Sequence, residues 1–204
     1  MPDESRDISL FEAIDTQRAL RYIKPDPVPD EMLDRILRSA VRAPSGGNSQ
    51  PWEFVVVRDP DVKREIAGYY KRAWDETYGQ TQEPGRLGTR SFRSAAHFAE
   101  HLAEAPLWII VCLRHDGSPG TMMRGASIYP AVQNMLLTAR ALGLASVLTT
   151  LHARYEREVA AILGLPEDVQ TAALLPFGFP EEGHGYGGRS RRIPLEEFLH
   201  FDRW

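Results

Sequence analysis

Residues 42–52 read Arg42-Ala-Pro-Ser-Gly-Gly-Asn-Ser-Gln-Pro-Trp52, and this stretch carries the most specific pattern of the chain. Its prolines and small residues end a preceding helix and predict a loop. Small side chains let backbone amides approach a ligand closely, and Asn48 and Gln50 add both donors and acceptors. Two interpretations are open at this point: a ligand-binding loop, or an ordinary tight connection between a helix and a strand.

Helices and strands follow one another irregularly on both sides of this loop. Asp30 can cap a helix whose apolar positions have helical spacing, and residues 53–58 predict a strand. Elsewhere the sequence predicts helices at 8–18, 61–74, 95–103, 126–142 and 155–163, and strands at 107–113, 144–151 and 171–178. This order predicts an α+β domain rather than a regular βαβ array. The length of 204 residues suits a single domain, 1–204.

Composition and charge argue against several function classes. Lys plus Arg number 24 and Asp plus Glu number 28, so a net charge of −4 gives no general attraction to nucleic acid or anionic membranes. Cys112 is the single cysteine, which excludes an internal disulfide and a multi-cysteine metal site. No window approaches the ~18 apolar residues that span a bilayer, and the first residues are polar. We therefore expect a cytoplasmic protein that binds neither nucleic acid nor membrane.

The common nucleotide and metal motifs are missing from the sequence. There is no G-x-G-x-x-G segment, no P-loop and no H-E-x-x-H segment. His97 and His101 stand four residues apart and would share one face of a helix, but no third metal ligand is evident. We therefore expect no metal, and we interpret the pair as part of a half-exposed helix face.

Two basic segments could each hold a phosphate group. Arg18 and Arg21 stand three residues apart, so they would share one face at a helix end. Residues 187–194 place three arginines beside two glycines, and the guanidinium fork matches phosphate oxygens. Each segment alone is equally typical of a solvated surface.

The C-terminal tail carries three aromatic residues, Phe198, Phe201 and Trp204. Aromatic side chains bury large apolar areas, so leaving three of them in water is costly. We expect this tail to be covered either by the same domain or by a partner subunit.

In this order, the segments resemble the nitroreductase family of FMN-dependent oxidoreductases, and the resemblance covers nearly the whole chain. The matching stretches are Arg18-Ala-Leu-Arg21 with Lys24-Pro-Asp-Pro-Val-Pro-Asp30, Arg42 to Trp52, Gln133-Asn-Met-Leu-Leu with Ala141-Leu-Gly-Leu144, Pro176-Phe-Gly178, and Arg191-Arg-Ile-Pro-Leu-Glu-Glu197 with His200-Phe-Asp-Arg-Trp204. The resemblance implies a central, mostly antiparallel sheet flanked by helices. It also implies a homodimer with FMN at the subunit interface and a C-terminal arm, about 189–204, exchanged with the partner. The polar segment at about 75–92 is expected to be a lid or insertion over the pocket, with Tyr69, Tyr70, Trp74 or Tyr78 as stacking side chains.

The same resemblance implies which residues bind the cofactor. Arg18 and Arg21 would hold the phosphate and ribityl chain, and Arg192, with Arg191 or Ser190, would complete the phosphate clamp. The remaining predicted cofactor-binding residues are Ala19, Pro44, Ser45 and Gly46 along the flavin, Asn48 from the partner's side, and Thr149, Thr150 and Leu151 near flavin N5. Ala19 stands where many members carry a hydroxyl, and Thr150-Leu151 stands where some carry Glu-Gly. Lys71 is a weaker candidate for a contact with the flavin pyrimidine.

The function implied by the resemblance is transfer of a hydride from NADH or NADPH, through flavin N5, to a flat electron-poor acceptor such as a nitroaromatic or a quinone. A shared face for donor and acceptor implies a ping-pong mechanism. No catalytic acid or base from the protein is required, because the flavin carries the chemistry. Alternatives on the same scaffold are a reductive dehalogenase, an enoate-type reductase, a flavin-consuming enzyme and a non-catalytic FMN-binding protein. The sequence leaves open the acceptor and the choice between NADH and NADPH.

Overall fold

A continuous apolar strand, β2 (Leu107–Arg114), forms the middle of the structure. The computed structural model describes residues 8–79, 89–117, 122–187 and 192–204. The other strands are β1 (Trp52–Val57), β3 (Ala145–Ser146) and β4 (Val169–Gly178), and the helices are α1 (Leu10–Thr16), α2 (Asp30–Ala40), α3 (Pro60–Tyr78), α4 (Arg90–His101), α5 (Met122–Ala141) and α6 (Glu156–Leu163). Short 3₁₀ turns occupy Gly46–Asn48, Leu102–Glu104, Leu151–Tyr155 and Leu195–Glu197.

The described strands form one antiparallel sheet in the order β1-β2-β4-β3. Antiparallel pairing confirms the α+β class with a mostly antiparallel sheet. The pairing of β2 with β4 shifts register between Val111 and Cys112, which marks a β-bulge. The strand predicted at 144–151 is much shorter than expected: only β3 is regular, and Thr149 then forms an isolated bridge with Leu174. The chain leaves the sheet there because Leu151–Tyr155 turns into a 3₁₀ helix.

Alternate residues of β2 point to opposite faces of the sheet, so both faces are packed. On the face that we call the α3 face, Trp108 and Ile110 join a cluster with residues of α3, α4 and α6. On the other, which we call the α5 face, Ile109 and Val111 pack with residues of α2 and α5. All four of these β2 side chains are fully buried. The domain is therefore three layers, with helices on each side of the sheet.

Both helices that flank residues 75–92 extend into the segment predicted as a lid. The Asp59 carboxylate accepts bonds from the backbone N–H groups of Asp61 and Val62, and α3 continues through Tyr78, beyond the predicted end at 74. Thr89 caps α4, which begins at Arg90 and not at 95. Residues 75–78 and 90–92 are thus helical, and 80–88 lie outside the described residues.

Two terminal segments leave large apolar side chains in solvent. In α1 the exposed residues are Leu10, Phe11 and Ile14, and in the C-terminal tail they include Phe198, Phe201 and Trp204. Phe201 keeps 79% of its surface accessible. Within the described ranges, the single chain does not cover the aromatic tail. No described helix combines the length and the apolar character needed to cross a membrane.

Candidate functional site

The segment that carries Arg18 and Arg21 is held against the sheet. Leu20, which lies between them, is buried and donates its N–H to the carbonyl of Ser146, with 3.0 Å between N and O. Arg18 donates to the carbonyls of Gly185 and Gly187, at 2.8 and 2.6 Å. These bonds connect the first basic segment to residues directly before and at the start of the second.

A cavity of about 770 Å³ opens beside this segment. Its basic lining residues are Arg18, Arg21, Arg90, Arg192 and His184. The other lining residues are Ser91, Ser94, Gln17, Ala19, Leu20 and Tyr22. None of its described lining residues is acidic. Several arginines without a carboxylate among them favour an anion, since guanidinium groups bind phosphate with charge-assisted hydrogen bonds. We call this space the basic cavity.

A second cavity, of about 390 Å³, adjoins the first, and we call it the aromatic cavity. Arg21 and Ser91 line both. Its other lining residues are Tyr70, Trp74, Tyr78, Thr89, Phe92, Ala95, Phe98 and the run 147–151. Trp74 and Tyr78 lie 4.7 Å apart between ring centroids, and Trp74 and Phe92 lie 5.6 Å apart. Together the two cavities could hold a ligand with an anionic end and a flat end.

Arg21 stands at the junction of the two cavities. Its guanidinium donates to the Ser94 hydroxyl at 3.3 Å. Burial lowers the pKa of Arg21 below its ordinary value, an effect partly opposed by Tyr70. Because an arginine keeps its proton in proteins, it remains cationic. Burial disfavours the charged form of Tyr70 and raises the pKa of its phenol, so the phenol stays neutral. The junction thus presents a fixed positive charge next to a neutral hydroxyl.

The Thr149–Leu151 turn forms one wall of the aromatic cavity. Thr149 exchanges two backbone hydrogen bonds with Leu174 of β4, at 3.0 and 2.9 Å. Its hydroxyl accepts the Leu151 N–H at 3.4 Å and lies 3.1 Å from the Tyr70 hydroxyl. Thr150, by contrast, is exposed. The turn is therefore anchored to the sheet and to α3, while its tip is open to a ligand.

Directly after the turn, the buried ring of His152 belongs to a polar cluster. Its Nε2 lies 3.0 Å from the Thr171 hydroxyl. Glu156 accepts both the Thr171 N–H and the Thr171 hydroxyl. Burial lowers the pKa of His152 to about 4, so the ring is neutral at physiological pH. The cluster is a fixed support behind the turn.

The 42–52 loop does not line either of these two cavities. Gly46 donates its N–H to the Ser127 hydroxyl of α5 at 3.1 Å. Gly47, Asn48 and Gln50 have positive φ values of 58°, 57° and 48°. A positive φ is uncommon outside glycine and clusters at ligand-binding sites. The predicted site residues Pro44, Gly46 and Asn48 are exposed, and Ser45 is half-buried.

The structure therefore brings together only part of the predicted cofactor site. Lining one or both cavities are Arg18, Ala19, Arg21, Arg192, Thr149, Thr150 and Leu151. The loop residues Pro44, Ser45, Gly46 and Asn48 line neither, while Ser190 and Arg191 lie outside the described residues.

Arg90 and Ser91 line the basic cavity and belong to the segment 75–92, which the sequence predicts to lie over the pocket. Sequence reasoning missed Ser94 and His184, which line the same cavity. Position in the sequence gave no signal for these two, because α4 and the segment with His184 reach the basic segment only through tertiary packing. Lys71 lines neither cavity; it pairs instead with Asp75 and Glu100, at 2.5 and 3.2 Å.

The predicted pair of histidines forms a stack of rings. The His97 ring lies 4.2 Å from His101 and 4.2 Å from Tyr22, and Tyr22 lies 3.9 Å from His184. Among the described residues, no group of side chains could hold a metal ion. The His97–His101 pair packs against Tyr22, which together with His184 lines the basic cavity.

The comparison with family models decides the assignment. The model described as the nitroreductase family matches residues 14–179. The chain belongs to the nitroreductase family. The matched region contains both arginines of the first basic segment, the 42–52 loop and the Thr149–Leu151 turn.

Individual nitroreductase-family relatives differ in their names. The chain is 29% identical over 203 residues to a "Putative NADH dehydrogenase/NAD(P)H nitroreductase" of Methanothermobacter thermautotrophicus, covering 97% of this chain and 88% of that protein. It is also 29% identical over 189 residues to iodotyrosine deiodinase 1 of Rattus norvegicus, covering 87% of this chain and 64% of that protein. The chain thus spans less than two thirds of the rat deiodinase. A solved structure of oxidised iodotyrosine deiodinase bound to FMN and 3-iodo-L-tyrosine has a TM-score of 0.74 at 25% identity, covering 96% of this chain and 100% of that one.

Proposed function

We propose that the protein is an FMN-dependent oxidoreductase that takes a hydride from NADH or NADPH and delivers it to a flat, electron-poor acceptor, a nitroaromatic or a quinone. The observation that carries this proposal is the pair of adjoining cavities, one basic and one aromatic, joined at Arg21. FMN has the matching form, with a phosphate at one end and a three-ring system at the other. The family and the FMN-bound relative support the choice of cofactor.

The residues present fit FMN. Arg21 and Arg192 would bind the phosphate, while Arg18 is held by the glycine carbonyls and would add charge at the cavity wall. The ring system would lie against the Thr149–Leu151 turn, where the exposed residue Thr150 can contact it. When bound, FMN would supply the hydride transfer between nicotinamide and acceptor. The protein's own contribution is binding, orientation and a positive field.

We also propose a homodimer with an exchanged C-terminal arm. The loop with Ser45 and Asn48 lies away from the cavities of its own chain, so in a dimer it would complete the site of the partner. The arm with Phe198, Phe201 and Trp204 is exposed in the single chain, and burial on a partner would offset the cost of wetting it. From the described part of the predicted lid, Tyr78 and Phe92 would stand beside Tyr70 and Trp74 on the wall of the pocket.

A second candidate function is reductive dehalogenation of a halogenated phenol. The deiodinase relatives support this alternative without favouring it over the main proposal, because nitroreductase-named relatives are equally similar. Both candidates use the same FMN site and differ only in the acceptor. They can therefore be separated by the substrate that reoxidises the reduced protein.

The test is anaerobic reduction of the purified protein with FMN. We would follow the visible flavin band after adding NADH or NADPH, then add a quinone, a nitroaromatic or 3-iodotyrosine in separate samples. Bleaching by a nicotinamide and recovery with the quinone or nitroaromatic would support the main proposal. Recovery with 3-iodotyrosine and iodide release would support the second. A protein that binds no FMN would contradict both, and bound FMN that neither nicotinamide reduces would contradict the NAD(P)H donor.

A further inference from the structure

The Arg140 side chain, near the end of α5, contacts two segments that are far apart in the sequence. Only 14% of this side chain is exposed to solvent. Its Nε donates to the Thr16 hydroxyl at 2.7 Å, and its Nη2 lies 3.5 Å from a carboxylate oxygen of Glu12. Its guanidinium also lies over the Tyr186 ring, with 4.6 Å between Cζ and the ring centroid. One cation therefore joins the end of α1 to the 180–187 segment.

The first of these two segments carries Arg18. Thr16 is the last residue of α1, so Arg18 follows the helix end by two positions. The Thr16 hydroxyl donates to the Glu12 carbonyl at 2.6 Å and accepts the bond from Arg140. These bonds fix the end of α1, and the backbone of Arg18 continues from that end.

The second segment supplies the acceptors of the Arg18 guanidinium. Arg18 donates to the carbonyl oxygens of Gly185 and Gly187, at 2.8 and 2.6 Å. Tyr186 stands between these glycines, and its hydroxyl donates to the Leu144 carbonyl at 2.9 Å. Burial raises the pKa of Tyr186 to about 12, so the phenol keeps the proton that this bond needs. Because its ring and its hydroxyl are both in contact with α5 or the residues after it, Tyr186 holds the two acceptor carbonyls in place.

We propose that Arg140 is a positioning residue for the phosphate end of the cofactor site. It does not line the basic cavity, so it acts through Arg18: one guanidinium holds both the segment that carries Arg18 and the segment that accepts its hydrogen bonds. This inference rests on the proposed function, because the anion expected in the basic cavity is the phosphate of FMN.

The benefit of such a contact is an arginine that is ordered before the anion binds. A free arginine side chain loses rotamer freedom when it binds an anion, and this loss of entropy weakens the binding. The two carbonyl bonds of Arg18 already restrict its guanidinium in the flavin-free protein. Without Arg140, the two segments could move apart, and Arg18 would have to be ordered by the phosphate itself.

The experiment compares FMN, which carries ring and phosphate, with lumiflavin, which carries the ring alone. Dissociation constants for both would be measured by flavin fluorescence quenching on the full chain. The variants are Arg140→Gln, Tyr186→Leu, Arg18→Gln and the double variant Arg140→Gln/Arg18→Gln. If Arg140→Gln does not fold, Thr16→Val takes its place, because it removes only the hydroxyl that accepts the bond from Arg140.

Arg72→Gln is the matched control. Arg72 makes the same kinds of contact as Arg140, since its Cζ lies 5.2 Å from the Tyr155 ring centroid and its Nε lies 3.3 Å from a carboxylate oxygen of Glu76. It belongs to α3 and lines neither cavity. Its replacement should leave both dissociation constants unchanged.

We expect Arg140→Gln to weaken FMN binding by about threefold to tenfold, as for loss of one hydrogen bond, and to leave lumiflavin binding unchanged. Tyr186→Leu should give the same selective loss although Arg140 keeps its charge, because the contact holds the acceptor carbonyls. The double variant should bind FMN no more weakly than Arg18→Gln alone, because Arg140 acts through Arg18.

The outcomes separate this inference from the proposed function. If the wild type binds FMN and Arg140→Gln binds it equally well, the inference is wrong while the FMN proposal stands. An equal loss of FMN and lumiflavin affinity would show that Arg140 serves only the stability of the fold, and it would overturn the inference. So would additive losses in the double variant, or a Tyr186→Leu variant that binds FMN like the wild type. If the wild type binds neither flavin, both proposals fail together.

Discussion

The two faces of the sheet differ in what they bury. The cluster on the α5 face is formed by apolar side chains such as Ile109, Met135 and Leu175. The α3 face adds three of the four buried polar or charged side chains among the described residues, Lys63, His152 and Thr171. It also borders the basic and aromatic cavities. Both faces are closely packed, and the difference teaches that polar groups and the two candidate cavities are concentrated on the α3 face.

The largest effect is expected from opening a hole in the α5 face. Ile109→Ala removes a fully buried side chain of the central strand and should lower the free energy of unfolding by about 4 kcal/mol. Flavin affinity of the folded protein should not change, because Ile109 lines neither cavity. Urea denaturation at fixed protein concentration measures the free energy of unfolding, and fluorescence titration measures the flavin affinity. Ile109→Val is the graded control and should lower the free energy of unfolding by about 1 kcal/mol. If Ile109→Ala lowers it by less than this amount, the comparison of the two faces is wrong.

The next effect concerns acid sensitivity of the α3 face. Buried His152 stays neutral in the folded protein because its pKa is lowered from 6.5 to about 4. Between these values the unfolded chain binds more protons, so the free energy of unfolding falls as pH falls through this window. The free energy of unfolding lost in this way reaches about 3 kcal/mol near pH 4, and the loss is absent above pH 6.5.

His152→Gln removes the titrating ring and retains a polar group near Thr171. Its unfolding free energy, measured by urea denaturation from pH 7.5 to 4, should decline less than that of the wild type. Carboxylates that titrate in the same range contribute to both proteins and cancel in the difference. Parallel curves for the two proteins would show that His152 does not cause the acid sensitivity.

A smaller effect is expected where the cavities meet. Arg21→Gln removes the cation shared by both cavities and should weaken FMN binding by 10- to 100-fold, or about 1.4 to 2.7 kcal/mol. The free energy of unfolding should change far less than it does in Ile109→Ala. If Arg21→Gln binds FMN with an affinity within a factor of two of the wild type, Arg21 does not contribute to the phosphate and ring site.

The smallest effect is expected outside both faces. Arg38 and Asp34 form an exposed ion pair on α2, with 2.6 Å between N and O. Arg38→Gln should change the free energy of unfolding by less than about 0.5 kcal/mol and leave flavin binding unchanged. This variant is the charge-matched control for Arg21→Gln. A large effect here would mean that general charge, not the cavity, governs FMN affinity.

The sequence was sufficient for the fold class, the family and most helices, since helical spacing acts locally. The predicted cap Asp30 was wrong: Asp30 is the first residue of α2, and Pro29 occupies the cap position without a side-chain hydrogen bond. Sequence reasoning also failed where tertiary contacts decide. The strand expected at 144–151 ends early because Leu151–Tyr155 turns toward α3, and no local signal marks that turn.

The candidate site likewise contains residues that local sequence signals indicate and residues that only tertiary contacts bring together. Arg18 and Arg21 could be found from spacing, and the 42–52 loop from its composition. The contributions of Ser94 and His184 could not, because they depend on how α4 and the 180–187 segment pack on the first basic segment. Arg90 lies in the segment 75–92, which the sequence predicts to cover the pocket. The link between Tyr70 and Thr149 spans too much sequence for any pattern to show it.

Because Cys112 is buried, the reaction of its thiol can report when the core of the protein opens. It is the single cysteine, it lies fully buried in the central strand, and burial raises its pKa to about 12. A thiol reagent needs both access and thiolate, and the native state withholds both. Labelling of this thiol therefore counts the molecules whose sheet has opened. At reagent concentrations where labelling is faster than reclosing, its rate gives the lifetime of the folded core without any engineered probe.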